Sequence, residues 1–291
     1  MAQLIFHMTD RSRTIDIMGI VNLTDNSYFA QSRCLGPDGE PDMDRVLEHA
    51  GRMIDEGASI IDIGACSTRP GSEPVGEDEE WRRLSPALKA IRESFPQVQI
   101  SVDTYWSSVV QKTFDLIGPF LVNDVSAGED DPVMLGTVGR LGLTYAAMHK
   151  RGTPKTMQSL CSYKDVTGEV LEYFRKFGRK AEEAGIKEWI LDPGFGFAKT
   201  VEQNYRLLSE LERFSCLGRR ILVGVSRKSM IYKLFDITPE ESLPQTQVLH
   251  LAALERGADI LRVHDVAEAA RTVAVWSRLA DTYSVAPRHS K

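Results

Sequence analysis

A short apolar run that stops at a polar residue recurs along this chain, and it restricts the fold more than any other feature. Ile60-Ile61 leads to Asp62, Ile100-Ser101-Val102 to Asp103, and Leu121-Val122 to Asn123-Asp124. Trp189-Ile190-Leu191 leads to Asp192, Ile221-Leu222-Val223 to Ser226-Arg227-Lys228, and Ile260-Leu261 to Arg262 and His264. Runs of this length and composition read as strands buried on both faces, the habit of parallel sheets. A carboxylate at the end of such a strand is costly to bury unless it is hydrogen-bonded. Repeated polar strand ends therefore describe one converging site face.

Eight strand candidates emerge, at 15–22, 59–65, 99–104, 120–126, 143–149, 188–192, 220–226 and 258–264. Between them lie amphipathic stretches such as Met43–Glu56, Glu79–Ser94, Asp165–Ala184, Val201–Phe214, Leu243–Arg256 and Val266–Tyr283, with apolar residues three and four apart. Gly57, Gly185 and Gly257 each stand just past a helix, where a residue with positive φ commonly ends it. Alternating strands and helices in this number predict a (β/α)8 TIM barrel, with a doubly wound open sheet as the runner-up. No linker or composition shift divides the 291 residues, so one domain is expected, with its barrel core at about 15–283. The strand-to-helix loops 23–42, 66–78 and 150–164 are long, and long loops on the site face of a barrel are usually functional.

Composition closes off other classes. A formal net charge of −6 gives no footprint for nucleic acid. Cys34, Cys66, Cys161 and Cys216 are scattered without metal-type spacing, which favours reduced thiols in a cytoplasm. Charge interleaves with apolar residues from Met1 to Ile15, and no apolar run approaches membrane length. A soluble cytoplasmic protein is expected.

The run Asp192-Pro193-Gly194-Phe195-Gly196-Phe197 lacks the spacing of a phosphate loop and reads better as a turn that lets Asp192 face a pocket. A ligand with two adjacent N–H donors, such as an amino-pyrimidinone edge, would satisfy both carboxylate oxygens. Asp62, Asp103 or Asn123 alone would pass for a helix N-cap; three at neighbouring strand ends argue for a polar pocket. Metal binding by this set is open, although no histidine accompanies it in ligand spacing. Arg262 and His264 flank Val263 and share one face of the last strand, which makes them a clamp for an oxyanion such as phosphate. Cys66 has no histidine base assignable from sequence, and His7, His49, His250 and His289 read as surface or packing residues.

Taken together, Met18–Thr24, Asp62–Gly64 with Ser67–Gly71, Ser101–Asp103, Val122–Val125, Met148-His149, Asp192–Lys199, Ser226–Ser229 and Arg262–Asp265 closely resemble the dihydropteroate synthase family. The resemblance covers residues from about 15 to 283. It implies a homodimeric TIM barrel that condenses 6-hydroxymethyl-7,8-dihydropterin diphosphate with p-aminobenzoate, giving dihydropteroate and pyrophosphate in folate biosynthesis. It further implies that Asp192 pairs with the pterin amino and ring N–H, Asp103 and Asn123 hold the far ring edge, and Lys228 meets the pterin carbonyl. Arg262, Val263, His264 and Asn22 would surround the diphosphate, with Asn22 also on Mg2+ and Asp62 near the pterin or its phosphates. Lys228, Arg262 and His264 would carry the catalytic roles. Thr68, Arg69 and Ser226 would line the p-aminobenzoate side.

The first loop departs from the family pattern: Asp25 stands where the family has proline, Asn26 where it has aspartate, and Ala30 at a later acidic position. Cys66 stands where the family usually has glutamate. Two other readings share the barrel and its pterin pocket. A pterin-dependent methyltransferase domain would not need Ser67–Gly71, Ser226–Lys228 or Arg262–His264. A catalytically impaired pterin-binding paralogue would keep the pocket and lose the loops.

Overall fold

The computed structural model describes residues 13–24, 34–36, 39–66 and 75–284. Eight parallel strands form one sheet: β1 (Asp16–Asn22), β2 (Ile60–Gly64), β3 (Gln99–Asp103), β4 (Leu121–Asp124), β5 (Thr144–Met148), β6 (Trp189–Asp192), β7 (Leu222–Val223) and β8 (Ile260–Val263). The strand order runs β6-β5-β4-β3-β2-β1-β8-β7. A parallel bridge between Leu191 and Ile221 joins the two ends, so the sheet closes into the expected TIM barrel. An open doubly wound sheet is thereby set aside.

Helices follow each strand: α1 (Met43–Asp55), α2 (Glu77–Ser94), α3 (Ser107–Ile117), α4 (Met134–Leu141), α5 (Val166–Glu183), α6 (Val201–Ser209), α7 (Ser229–Phe235), α8 (Leu243–Glu255) and α9 (Val266–Ser284). Two of them, α7 and α8, follow β7. In α5, Val166, Val170, Phe174, Phe177 and Ala181 recur at three- and four-residue spacing and bury one stripe against the barrel. Thr200 and Gln203 close a reciprocal capping box at the start of α6. Among the described residues no helix is long and apolar enough to cross a membrane.

The period-two alternation of the strands divides the core into two layers. Outward side chains such as Ile61, Ile63, Val102, Val122, Tyr145, Leu191 and Leu261 pack under the helices. Inward, Met18, Ile60, Leu121, Ala146, Ile190, Leu222 and Ile260 form a separate apolar plug at the N-terminal end of the barrel. One pleat further along, the same inward face carries Asp62, paired across the sheet with Ser101 and Ile20, and Asp103, paired with Asn123. Arg262 lies beside Met18 in register, two residues beyond Ile260. The apolar plug is thus the floor on which the polar strand ends stand.

The expected 220–226 strand shrinks to Leu222–Val223. Its start is diverted because the Asp259 carboxylate accepts from Ile221 N at 2.8 Å. Its end turns early: Lys228 N donates to Val225 O at 3.2 Å, and Arg227 holds φ +53°. The expected 201–214 helix stops at Ser209 and continues as a 3-10 turn over Leu211–Leu217. At the helix ends, Gly57, Gly185 and Gly257 have φ of 108°, 79° and 102°.

Candidate active site

The C-terminal rim of the barrel gathers most of the polar strand ends into one network. Asp62, fully buried in β2, accepts from Ser101 Oγ at 2.6 Å and from Asn123 Nδ2 at 3.2 and 3.3 Å. Arg262 reaches over from β8, with Nε 2.6 Å from Asp62 Oδ2 and a terminal nitrogen 2.9 Å from Asp103 Oδ2. On the other side of the mouth, Asp192 ends β6 and its Oδ1 accepts from Gly194 N at 2.8 Å. That turn sits hard against β5: a Cβ on Gly194, at φ +71°, would lie 2.0 Å from His149 O. Only glycine fits there.

Lys228 approaches the same turn from the end of β7. Its Nζ donates to Phe195 O at 2.5 Å and stands 4.9 Å from the centre of the Phe197 ring. Ser226 Oγ is 3.0 Å from His264 Nδ1 and accepts from His264 N at 3.3 Å, which links the ends of β7 and β8. Cations, carboxylates and hydroxyl thus line a single concave rim over the apolar plug.

The comparisons with known proteins agree on what kind of rim this is. Residues 18–264 match the family described as pterin binding enzyme. The dihydropteroate synthase of Haemophilus influenzae is 38% identical over 267 residues, 91% of this chain and 94% of that protein. The chain belongs to the dihydropteroate synthase family. Among solved structures, Yersinia pestis dihydropteroate synthase in complex with a sulfonamide drug superposes with a TM-score of 0.85 at 34% identity, covering 94% of this chain and 96% of that one. The Xanthomonas albilineans enzyme with 4-aminobenzoic acid gives 0.82 at 33% identity, with 94% of each chain covered. The family is one of transferases in folate biosynthesis.

Within this synthase fold, burial sets the charge states of the rim. It pushes the Asp103 carboxyl up to about 7, with Arg262 opposing the shift. It raises Asp192 as well, against Lys228. Burial brings Lys228 down to about 8, with Asp192 pulling the other way. It also brings His264 down to about 3, aided by Arg262, Arg227 and Lys228, so the imidazole is neutral near pH 7. Burial works against the Arg262 guanidinium too, but Asp62 and Asp103 more than offset it and keep it charged.

Not every residue singled out from sequence belongs to this rim. Asp124, next to Asn123, faces outward and is a structural hub, accepting from Tyr145 Oη at 2.6 Å and from Ser126 N and Gly128 N at 2.7 and 2.9 Å. Arg227 is held by a two-point pair with Asp265 at 2.7 and 2.8 Å and by the carbonyls of Pro239 and Glu240. Of the two consecutive cations, only Lys228 therefore serves the mouth. Val263 is fully buried in the outer apolar layer, so its side chain is packing and only its backbone belongs to the rim. The clamp read from Arg262 and His264 is modified: Arg262 is ion-paired inward, and His264 is bonded to Ser226. Thr68, Arg69, Asp25, Asn26 and Ala30 lie outside the described residues. The Cys66 thiol is pushed up by burial and sits 3.5 Å from Tyr105 Oη, a setting opposite to that of an activated nucleophile.

Sequence reasoning missed Ser101 as a partner of Asp62, although its place two residues before Asp103 puts it on the same inward face. It also gave no role to Lys199, which the structure buries behind the Gly194–Phe197 turn. A buried lysine after two glycines leaves no pattern that separates it from a solvated one.

Proposed function

We propose that this chain condenses 6-hydroxymethyl-7,8-dihydropterin diphosphate with p-aminobenzoate, releasing pyrophosphate by a dissociative displacement. The convergence of Asp62, Asp103, Asn123, Asp192, Lys228, Arg262 and His264 on one rim carries this reading. Asp192 offers its carboxylate to the amino and ring N–H donors of the pterin. Asp103 and Asn123 take the opposite edge, and Lys228, whose charge Asp192 supports, takes the carbonyl. Arg262 and His264 hold the diphosphate, while Ser226, Thr68 and Arg69 line the entry of p-aminobenzoate.

An aryl amine is already unprotonated near neutral pH, so the reaction requires no strong general base. The bond from the pterin methylene to oxygen breaks, and its electron pair leaves with the diphosphate. The amine nitrogen then bonds to the methylene carbon and loses a proton to solvent or to the departing oxyanion. Fixed cations where negative charge develops lower that barrier, and the nearby carboxylates tolerate the cation left on the pterin.

We assign a Mg2+ ion to Asn22, which ends β1 at the rim. Magnesium keeps most of its water and binds through one or two protein oxygens plus substrate phosphates, and an amide oxygen at this edge suits that role. When bound, the ion supplies charge neutralisation to the diphosphate oxygens.

We also propose a single-domain homodimer in the cytoplasm. Val248 on α8 and Val275 on α9 are 66% and 56% exposed, and together with Leu251 they line a groove of about 390 Å3. An apolar face of this kind favours a second copy over water. The four cysteines, scattered without metal-type spacing, suit a reducing compartment. The decisive experiment measures pyrophosphate release and dihydropteroate formation with and without p-aminobenzoate and Mg2+. Dihydropteroate should appear only with both additions, and p-aminobenzoate should raise the rate of pyrophosphate release. Pterin binding without turnover would assign the chain to a non-catalytic binding role instead.

A further inference from the structure

Lys199 is buried behind the turn that carries Asp192, and its ammonium meets three acceptors. Nζ donates to Gly194 O at 2.9 Å and to Phe197 O at 3.0 Å, and it lies 3.1 Å from His149 Nδ1. An ammonium has three hydrogens and no lone pair, so this geometry uses all of them. His149 is held neutral by burial and by Lys199 itself, and in the tautomer with its hydrogen on Nε2 it accepts at Nδ1 from the ammonium. The same histidine is tied to the pocket strand, its N donating to Asp192 O at 3.0 Å.

The front of the turn faces the rim. Asp192 accepts from Gly194 N at 2.8 Å, and Lys228 donates to Phe195 O at 2.5 Å. One short turn, Gly194–Phe197, thus joins a lysine behind it to a carboxylate and a cation in front of it. Burial brings Lys199 down to about 7, with Asp192 opposing the shift, so an amine here is costly where an apolar side chain would fill the same space at lower cost. Its presence is accounted for by the position it imposes on the turn.

We propose that Lys199 is a positioning residue for the pterin. Without touching substrate, it clamps the Gly194–Phe197 turn against His149 and so sets the spacing between Asp192 and Lys228. The inference deepens the synthase reading and rests on it. Removing the ammonium takes the donor from Phe197 O and leaves Gly194 O only its bond from Phe197 N within the turn, and the turn relaxes away from β5. Pterin recognition then weakens, while the p-aminobenzoate side, built from other elements, is spared.

The test compares Lys199→Met with the wild-type enzyme in steady-state kinetics and in calorimetric titration with 6-hydroxymethylpterin. The expected result is a rise of about tenfold to a hundredfold in KM and Kd for the pterin, the usual consequence of losing hydrogen bonds to a charged group. KM for p-aminobenzoate and kcat at saturation should stay within a few-fold. In an Asp192→Asn background the same substitution should cost little more, because the carboxylate that Lys199 positions is then already lost. Should Lys199→Met not fold, Lys199→Arg serves in its place, since a planar guanidinium keeps the charge but cannot present three hydrogens to these acceptors. Unchanged pterin KM in a folded variant overturns the inference, as does a full additive loss in the Asp192→Asn background. If the wild-type protein itself neither binds pterin nor makes product, the synthase reading fails first, and the two failures are told apart.

Discussion

Arg262 Nε donates to Asp62 Oδ2 across 2.6 Å, although 200 positions separate the two residues. β1 pairs with β2 on one side and with β8 on the other, so the two side chains meet across the inward face of a single strand. The pair joins the diphosphate side of the mouth to its pterin side. Asp62 is fully enclosed, with Ser101 and Asn123 satisfying its remaining lone pairs, while the Arg262 side chain keeps 23% of its surface exposed.

Arg262→Ala is therefore expected to act twice. It strips the cation from two buried carboxylates, at a cost of about 3 kcal/mol of stability, the low end for a broken buried pair because Arg262 is partly exposed. It also weakens the diphosphate-bearing substrate. His264→Ala removes a neutral imidazole and should leave stability nearly unchanged. For both variants, calorimetry should show a larger loss for the pterin diphosphate than for bare hydroxymethylpterin, since only the former carries oxyanions. Equal loss for the two ligands in His264→Ala would mean that His264 braces the rim and does not hold the leaving group.

Asp192→Ala tests the pterin anchor. The donor edge of the ring would be left unpaired in a desolvated pocket, a loss of about 2–5 kcal/mol, or about 30- to 4,000-fold in affinity. Asp192→Asn retains an oxygen for Gly194 N and should keep the turn in place while losing the charge facing Lys228. Binding within a few-fold of wild type in the alanine variant would remove Asp192 from the site.

Much of this rim was legible in the sequence because two simple periods generate it. Strand alternation puts Asp62, Asp103 and Asn123 on the inward face once the apolar runs are located, and the barrel closure brings Arg262 to them. What pattern could not supply is partner choice. Arg227 and Lys228 are both cations after the same strand, yet the positive φ of Arg227 turns its guanidinium onto Asp265, and only Lys228 reaches the mouth. Asn123 and Asp124 divide in the same way between pocket and scaffold. α3 and α4 carry weak signals: β-branched Val109 and Val110 and the paired Gly136 and Gly139 lower helix propensity, and packing decides the outcome. The short α7 is too brief for periodicity to register.

Stability depends on pH through buried groups of both signs, and His250 supplies one identifiable part. It is fully buried in α8, and burial holds its imidazole down to about 4 from an ordinary 6.5. The folded form thus has the lower pKa. Below pH about 6.5 the unfolded chain takes up a proton that the folded chain refuses, so the contribution is complete above that pH and is lost toward pH 4, by about 3 kcal/mol. Glu80 works in the opposite sense: burial raises its carboxyl to about 8, so its contribution is present in acid and fades as pH rises through that value. The whole curve mixes both signs, which makes a variant comparison the sharper measurement. In urea titrations between pH 4.5 and 6.5, His250→Leu should show a slope shallower by about one proton. An unchanged slope would rule out a neutral, buried His250.

The altered first loop separates an efficient synthase from a slow one. Asp25 replaces a proline of the family pattern and so removes a φ restraint, adding under about 1 kcal/mol to the entropy the chain loses on folding. Asn26 and Ala30 replace acidic positions and remove charge that could face the cation developing on the pterin. One carboxylate acting only on that developing cation would be worth about tenfold to a hundredfold in rate. The interaction exists only as the diphosphate departs, so its loss should lower kcat without disturbing ground-state binding. Normal pterin affinity with reduced kcat is therefore expected relative to family members that retain the proline and the acid. The double substitution Asp25→Pro with Asn26→Asp should restore part of the difference. Single-turnover measurements at saturating substrate check this directly, and a variant that gains pterin affinity while kcat stays fixed would show that the segment serves binding instead.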